Sequence, residues 1–270
     1  MEDSKTITGV KILIIGDVRG NFIEVFKKFK KLKKKGFQAA FCVGTFFDPR
    51  AENKQLEPYL SGKTAIEIPT YFITSDTDKK SHALFKNSKQ LCSNLTYLGQ
   101  SGITTIAGLT IGHLSGVYNT DYYNNHDRSE AAEVGRYSSH DVDELLDQQS
   151  LQYPHGLDIL LTSEWGRGFH RFLDAEDIPV TASGLCKSIG SPAVSMLASE
   201  LAVRYHFASL EQCFFQLPPF RNRTGLVSRF YGLGSVANSF GMKFLQALNV
   251  TPINQVNREG ETNIATTANP

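Results

Sequence analysis

Short unbroken apolar runs, each ending at glycine or a small polar residue, alternate along this chain with segments whose hydrophobic residues recur at helical spacing. The first run, Lys11-Ile-Leu-Ile-Ile15, has no polar alternation and stops at Gly16-Asp17-Val18-Arg19-Gly20, as a strand buried on both faces does. Asn21 then stands at a helix N-cap position. Phe22, Phe26 and Phe29 repeat on one face with lysines elsewhere, and Gly36 supplies a C-terminal stop. A second run, Ala39-Ala-Phe-Cys-Val43, ends at Gly44. The opening therefore predicts β-loop-α-β, a parallel unit with a right-handed crossover.

The same reading predicts a third strand at Thr70–Ile73 and short strands at 94–98, 103–106 and 109–114, joined by glycine-containing turns. Residues 119–137 are polar and acidic and read as a surface loop. Ser139 is expected to cap a helix through Leu146, with Asp141 and Asp143 in the first turn, where the helix dipole favours them. Asp158–Thr162 reads as another buried strand and 166–190 as loop. Ser191-Pro192 opens a further helix, with serine as cap and proline first. Strands are expected around 205–207, 212–217, 227–233 and 243–248. The chain thus divides into a polar segment 1–9, one α/β domain over 10–250 and a polar, disordered tail over 251–270.

Composition narrows the class. The 270 residues, 41% hydrophobic, suffice for a sizeable core. With 28 Lys+Arg against 27 Asp+Glu the net charge is +1, so bulk charge cannot hold a polyanion, although local patches can. No stretch approaches the roughly 20 apolar residues of a membrane helix. The start, Met1-Glu-Asp-Ser, is unlike a secretory signal, so a soluble intracellular protein without a membrane partner is expected. Cys42, Cys92, Cys186 and Cys213 form no C-x-x-C pair, which argues against a zinc site or a disulfide scaffold. The sequons at Asn94, Asn222 and Asn249 lack the secretory context that would use them.

In α/β sheets ligands collect at the carboxyl ends of strands. Here those ends read Gly16-Asp17-Val-Arg19-Gly20, Gly44-Thr45-Phe-Phe-Asp48, Thr74-Ser75-Asp76-Thr77-Asp78 and Thr162-Ser163-Glu164. G-D-x-x-G after one strand and V-G-x-x-x-D after the next resemble the calcineurin-like metallophosphoesterases. That resemblance implies a four-layer α/β/β/α sandwich with two metals that activate water and clamp a phosphoryl group. Position by position the metal motifs are degenerate. Asp-x-His stands as Asp17-Val18-Arg19, and Gly-Asp-x-x-Asp as Gly44-Thr45-Phe46-Phe47-Asp48. Gly-Asn-His-Asp stands as Thr74-Ser75-Asp76-Thr77. A strand-ending His becomes Ser163, and Gly-His-x-His falls on Ser209-Leu210-Glu211-Gln212. Asp17, Arg19, Thr45, Asp48, Ser75, Asp76 and Ser163 are therefore vestigial metal positions, and neither metal nor cofactor is expected. A guanidinium at Arg19 puts fixed positive charge where a dication would sit.

The surroundings of these motifs resemble one subgroup. Asn94-Leu-Thr-Tyr-Leu-Gly99, Asp158-Ile-Leu-Leu-Thr-Ser163 with Trp165, Arg204-Tyr-His-Phe-Ala208, Leu217-Pro-Pro-Phe-Arg-Asn222 and Ser228-Arg-Phe230 occur in the order of the N-terminal domain of CwfJ-type, Cwf-nineteen-like splicing factors. These include the debranching-enzyme-associated proteins of yeasts. The resemblance covers about residues 10–250 and implies a nuclear factor of late spliceosomes that assists intron lariat debranching without cutting RNA. Its implied partners are the RNA lariat debranching enzyme, late-spliceosome proteins and intron RNA. The family's two further C-terminal domains are expected to be absent from this chain. Two other readings stay open: a metal-dependent phosphodiesterase with a rearranged site at Asp17, Asp48 and Asp76 or Asp78, and a protein-only scaffold.

Candidate contacts follow. Lysines 27, 28, 30, 31, 33, 34 and 35 form either a phosphate-binding stripe, with Lys30 and Lys34 as contacts, or a solvated helix face. Arg204, Arg221, Arg223 and Arg229, beside Asn222, are candidates for phosphate and base recognition, or for ordinary ion pairing and packing of their stems. Trp165 is a candidate partner anchor or a lid over the strand ends. Asp17 with Arg19 reads as a structural remnant or a reused ligand site, and His206 as a hydrogen-bonded core histidine.

Overall fold

The computed structural model describes residues 9–48, 50, 52–75, 87–124, 135–181, 184–185 and 189–256. Two sheets pack face to face. The first contains β1 (Val10–Ile15), β2 (Ala39–Cys42), β3 (Thr70–Phe72), β4 (Lys89–Cys92), β5 (Leu95–Tyr97) and β15 (Leu245–Val250), in the order β15-β1-β2-β3-β5-β4. The β1-β2-β3-β5 pairings are parallel and both edges antiparallel. The second contains β6 (Ser101–Ile106), β7 (Leu109–Leu114), β8 (Leu157–Thr162), β11 (Val203–Ala208), β12 (Phe215–Gln216), β13 (Phe220–Arg221) and β14 (Val227–Gly232). Its centre, β7-β8-β11-β14, is parallel. A short hairpin, β9 (Val180–Thr181) and β10 (Gly184–Leu185), stands apart.

Strands buried on both faces need cover on both, and four apolar clusters among the described residues supply it. Alternate residues of β1 divide between two of them: Ile12 and Ile14 face the second sheet with Phe41, Ile111, Ile159 and Phe207, whereas Leu13 and Ile15 face outward. There helix α1 (Phe22–Leu32) lays Phe22, Val25, Phe26 and Phe29 on them. On the far side, α4 (Ser139–Gln152) and α5 (Pro192–Glu200) bury Val142, Leu145 and Leu197 against Leu114, Leu160 and Val203. The result is the expected four-layer α/β/β/α sandwich.

Local expectations shift where tertiary contacts intervene. Asn21 occupies the N-cap of α1, but its side chain donates back to the Val18 and Arg19 carbonyls. The cap of α4 is Ser138, one residue earlier than expected, in a capping box with Asp141, and the helix runs on to Gln152. Two short helices went unforeseen, α2 (Glu57–Leu60) and α3 (Thr120–Asn124), the latter inside the stretch read as loop. The strand expected at 212–217 shrinks to Phe215–Gln216, and β4 was not anticipated. The polar stretch read as a tail from Thr251 is tied down at its start: Pro252 and Ile253 are buried, and Asp158 Oδ1 accepts the Ile253 N–H at 2.7 Å. Residues 257–270 lie outside the described residues.

Candidate functional site

The carboxyl ends of β1, β2, β3, β8 and β11 meet around Asp17, which is wholly buried. Its Oδ1 accepts the Thr45 N–H at 2.6 Å and its Oδ2 accepts Arg19 Nε at 2.9 Å. Its own N–H donates to Ser209 Oγ at 2.7 Å, and Ser209 Oγ donates in turn to the Leu233 carbonyl. Gly44 makes this geometry possible: it sits at φ +82°, and a Cβ there would lie 1.9 Å from Asp17 Oδ1. Arg19 itself adopts a positive φ of 45° in the turn that brings its guanidinium back onto Asp17.

The other vestigial positions are occupied by hydroxyls and self-contained turns. Thr45 Oγ1 and Ser75 Oγ bond to each other at 2.7 Å. Asp48 folds its loop, accepting from Arg50 N through Oδ1, while its backbone bonds both ends of the Asn53 amide. Ser163 Oγ is buried without a hydrogen-bond partner among the described residues. Asp76, with Asp78, lies outside the described residues.

Glu211, two residues beyond Ser209, completes the cluster. Its Oε1 accepts the Trp165 N–H at 2.8 Å, and its Oε2 is shut off from solvent without a partner among the described residues. Burial pushes this carboxyl up to about 8, with the charges of Glu164 and Asp17 adding to the shift, so at neutral pH it is protonated. Burial likewise raises Asp17 to about 6, against the pull of Arg19 and the Thr45 N–H. The sequence placed Glu211 in the degenerate Gly-His-x-His position without a role of its own, although an acid just after a buried strand was a signal for one.

These residues do not fit the two metals that the fold implies. A dimetal centre needs several ionised carboxylates and neutral histidines converging on open positions. Here Asp17 has both oxygens engaged, one of them by a cation, and Glu211 holds a proton. Thr45, Ser75 and Ser163 offer neutral hydroxyls. Among the described residues no group of three or more His, Cys, Asp or Glu side chains could hold a metal.

Several proposed contact residues have internal roles. Trp165 is fully buried against Phe169, Phe215 and Phe230, so it anchors the fold and not a partner. Asn222 is also buried: its Oδ1 accepts the Thr224 and Leu226 N–H groups and its Nδ2 donates to the Leu201 carbonyl, closing its own turn. Buried Arg204 donates to the Thr251 carbonyl at 2.6 Å beside Asp158. Arg223 is exposed and paired with Glu200, and Arg221 donates to the Gly225 carbonyl. His206 is the core histidine expected, with Nε2 2.8 Å from Thr162 Oγ1. Lys30 and Lys34 are exposed on α1 and the turn after it, while Lys27, Lys28 and Lys31 line a groove with Gln55.

Two sheets between helical layers, with a turn-borne aspartate at the strand ends, define a metallophosphoesterase-like α/β protein. The fold is shared with the crystal structure of TT1561 of Thermus thermophilus, at a TM-score of 0.54 and 15% identity over 90% of this chain and 99% of that one. Sequence comparison is more specific. The chain is 34% identical over 259 residues to a CWF19-like protein 1 homolog of Caenorhabditis elegans, covering 92% of this chain and 45% of that protein. CWF19-like protein 1 of Xenopus laevis matches at 34% over 256 residues, 90% of this chain and 45% of the relative. Zinc finger CCCH domain-containing protein 64 of Arabidopsis thaliana matches at 34% over 259 residues, 90% of this chain and 41% of that one. No protein-family model matches the chain. The resemblance read from the degenerate motifs is thus borne out as likeness to CWF19-like protein 1, and the chain spans less than half the length of these relatives.

Proposed function

We infer that this chain is a non-catalytic, phosphoesterase-like domain of a nuclear splicing-associated factor, which contacts RNA and protein and assists intron lariat debranching and late spliceosome steps. One observation carries the non-catalytic part: the aspartate that would open a metal site has its carboxylate spanned by the Arg19 guanidinium and the Thr45 N–H. An ion pair already seated there neutralises the charge that would draw a dication. The likeness to CWF19-like protein 1 supports the splicing assignment. The lysine-lined groove on α1 supports an RNA contact, because several cations on one helix face release counterions on binding phosphates even where net charge is near zero.

Two measurements test this reading. Metal analysis of the purified chain, with a phosphodiester turnover assay in added Mn²⁺, is expected to find neither stoichiometric metal nor turnover. Stoichiometric Mn, Fe or Zn with turnover favours the rearranged phosphodiesterase instead. Crosslinking to a branched RNA is expected to fall with Lys27→Glu plus Lys31→Glu, and more weakly with Arg221→Glu plus Arg223→Glu. Crosslinking by neither the parent nor the variants favours a protein-only scaffold.

A further inference from the structure

Away from the strand-end site, a half-enclosed cavity of about 150 Å³ opens between the outer face of the second sheet and α5. Phe169, Leu217, Phe220 and Phe230 make its walls, and Ala198 lies on the helix side. Arg167 and Arg171, both exposed, stand at its mouth. They come together because Gly168, at φ +89°, reverses the chain between them, with Arg171 folded back to 3.4 Å from where a Gly168 Cβ would be. Arg167 Nε donates to the Gly190 carbonyl at 3.1 Å and its charge acts on Glu164, while neither arginine forms an ion pair within hydrogen-bond range of an acid among the described residues.

Two polar side chains line this wall: Ser195, whose Oγ donates to the Arg167 carbonyl at 2.7 Å, and His206. The His206 tautomer follows from its partner. Thr162 Oγ1 has one proton, which it donates to the Glu164 carbonyl at 2.8 Å, so toward His206 Nε2 it can only accept. Nε2 therefore carries the ring proton and Nδ1 is a bare acceptor. Burial holds the ring neutral, pushed down to about 3. The cavity thus combines aromatic walls, a histidine acceptor and two cations at the rim, in a volume that accepts one six-membered ring with its substituents.

We propose that this cavity binds a single nucleotide, the base held among Phe169, Phe220 and Phe230 beside His206 and the phosphate held by Arg167 and Arg171. Aromatic walls favour a flat ring, and paired guanidinium groups favour phosphate over carboxylate because they offer forked donors to several oxygens. The acceptor on His206 favours a base edge that donates, an amino group or a ring N–H, and the volume favours a single ring, so cytosine and uracil should bind before the purines. This chemistry is shared by a free nucleotide and by the terminal residue of an RNA.

Calorimetric titration of the full chain with AMP, CMP, GMP, UMP, cytidine and inorganic phosphate tests the site. CMP or UMP should saturate, with cytidine and phosphate each at least about ten-fold weaker because each lacks one half of the recognition. Arg167→Glu plus Arg171→Glu, confined to exposed side chains, should abolish binding with the circular dichroism unchanged. Ala198→Leu, which narrows the cavity from α5, should weaken it independently. Competition by a short single-stranded RNA assigns the nucleotide to an RNA end, and nucleotide binding without such competition assigns it to a free metabolite. No saturable nucleotide binding, equal affinity for phosphate alone, or binding indifferent to both variants overturns the proposal.

Discussion

Glu211→Gln isolates the most perturbed acid at the strand ends. In the unfolded chain this carboxyl ionises near its ordinary 4.5, whereas in the folded protein burial holds the proton to about 8. Between those values the native state binds more protons than the unfolded state, so native stability falls as pH rises. The slope is about 1.4 kcal/mol per pH unit, which over the roughly 1.5 units from pH 6.5 to 8 amounts to about 2 kcal/mol. Other titrations in this window, those of the histidines in the unfolded chain included, are common to wild type and variant and cancel in the difference. Asp17 has passed its value of about 6, and buried His113 and His206, lowered to about 4 and 3, stay neutral. Glutamine keeps an acceptor for the Trp165 N–H and cannot ionise. Urea unfolding at pH 6.5, 7.5 and 8.5 should therefore show the wild type losing stability relative to the variant, the gap widening by about 2 kcal/mol in the variant's favour. A gap constant to within about 0.5 kcal/mol would refute the buried protonated acid.

Three further outcomes follow from the same cluster. Arg19→Leu strips a cation from wholly buried Asp17; because the Arg19 side chain is 37% exposed and partly screened, the expected loss at pH 7.5 in urea unfolding is only about 1–2 kcal/mol, shrinking at pH 5 where Asp17 is protonated. Trp165→Ala empties a fully buried site among three aromatic rings and should cost about 3–5 kcal/mol, seen as a lowered midpoint in thermal melting. Ser163→Ala, by contrast, removes a buried hydroxyl that bonds to no described residue, and the same melt should show no loss beyond about 0.5 kcal/mol.

Hydrophobic patterning alone was enough to locate β1, α1, β2, β8 and the α5 start, because each is a run whose period and punctuation are set by adjacent residues. It also identified Asp17, Arg19, Thr45, Ser75 and Ser163 as one strand-end group, since parallel strands deliver their carboxyl-end loops to a common edge. What each residue does there depended on contacts far apart in the chain. Asp17 meets Thr45 and Ser209 across the sheets, and Glu211 is protonated only because folding removes it from water. Trp165, Arg204 and Asn222 are the residue types that bind partners when exposed, yet burial turned all three inward, and exposure is a property of the packed layers that no local pattern encodes. The cavity at Phe169 and Phe230 is of the same kind: its walls come from residues 166–230, in loops and strands whose joint shape exists only once the second sheet and α5 have closed on each other.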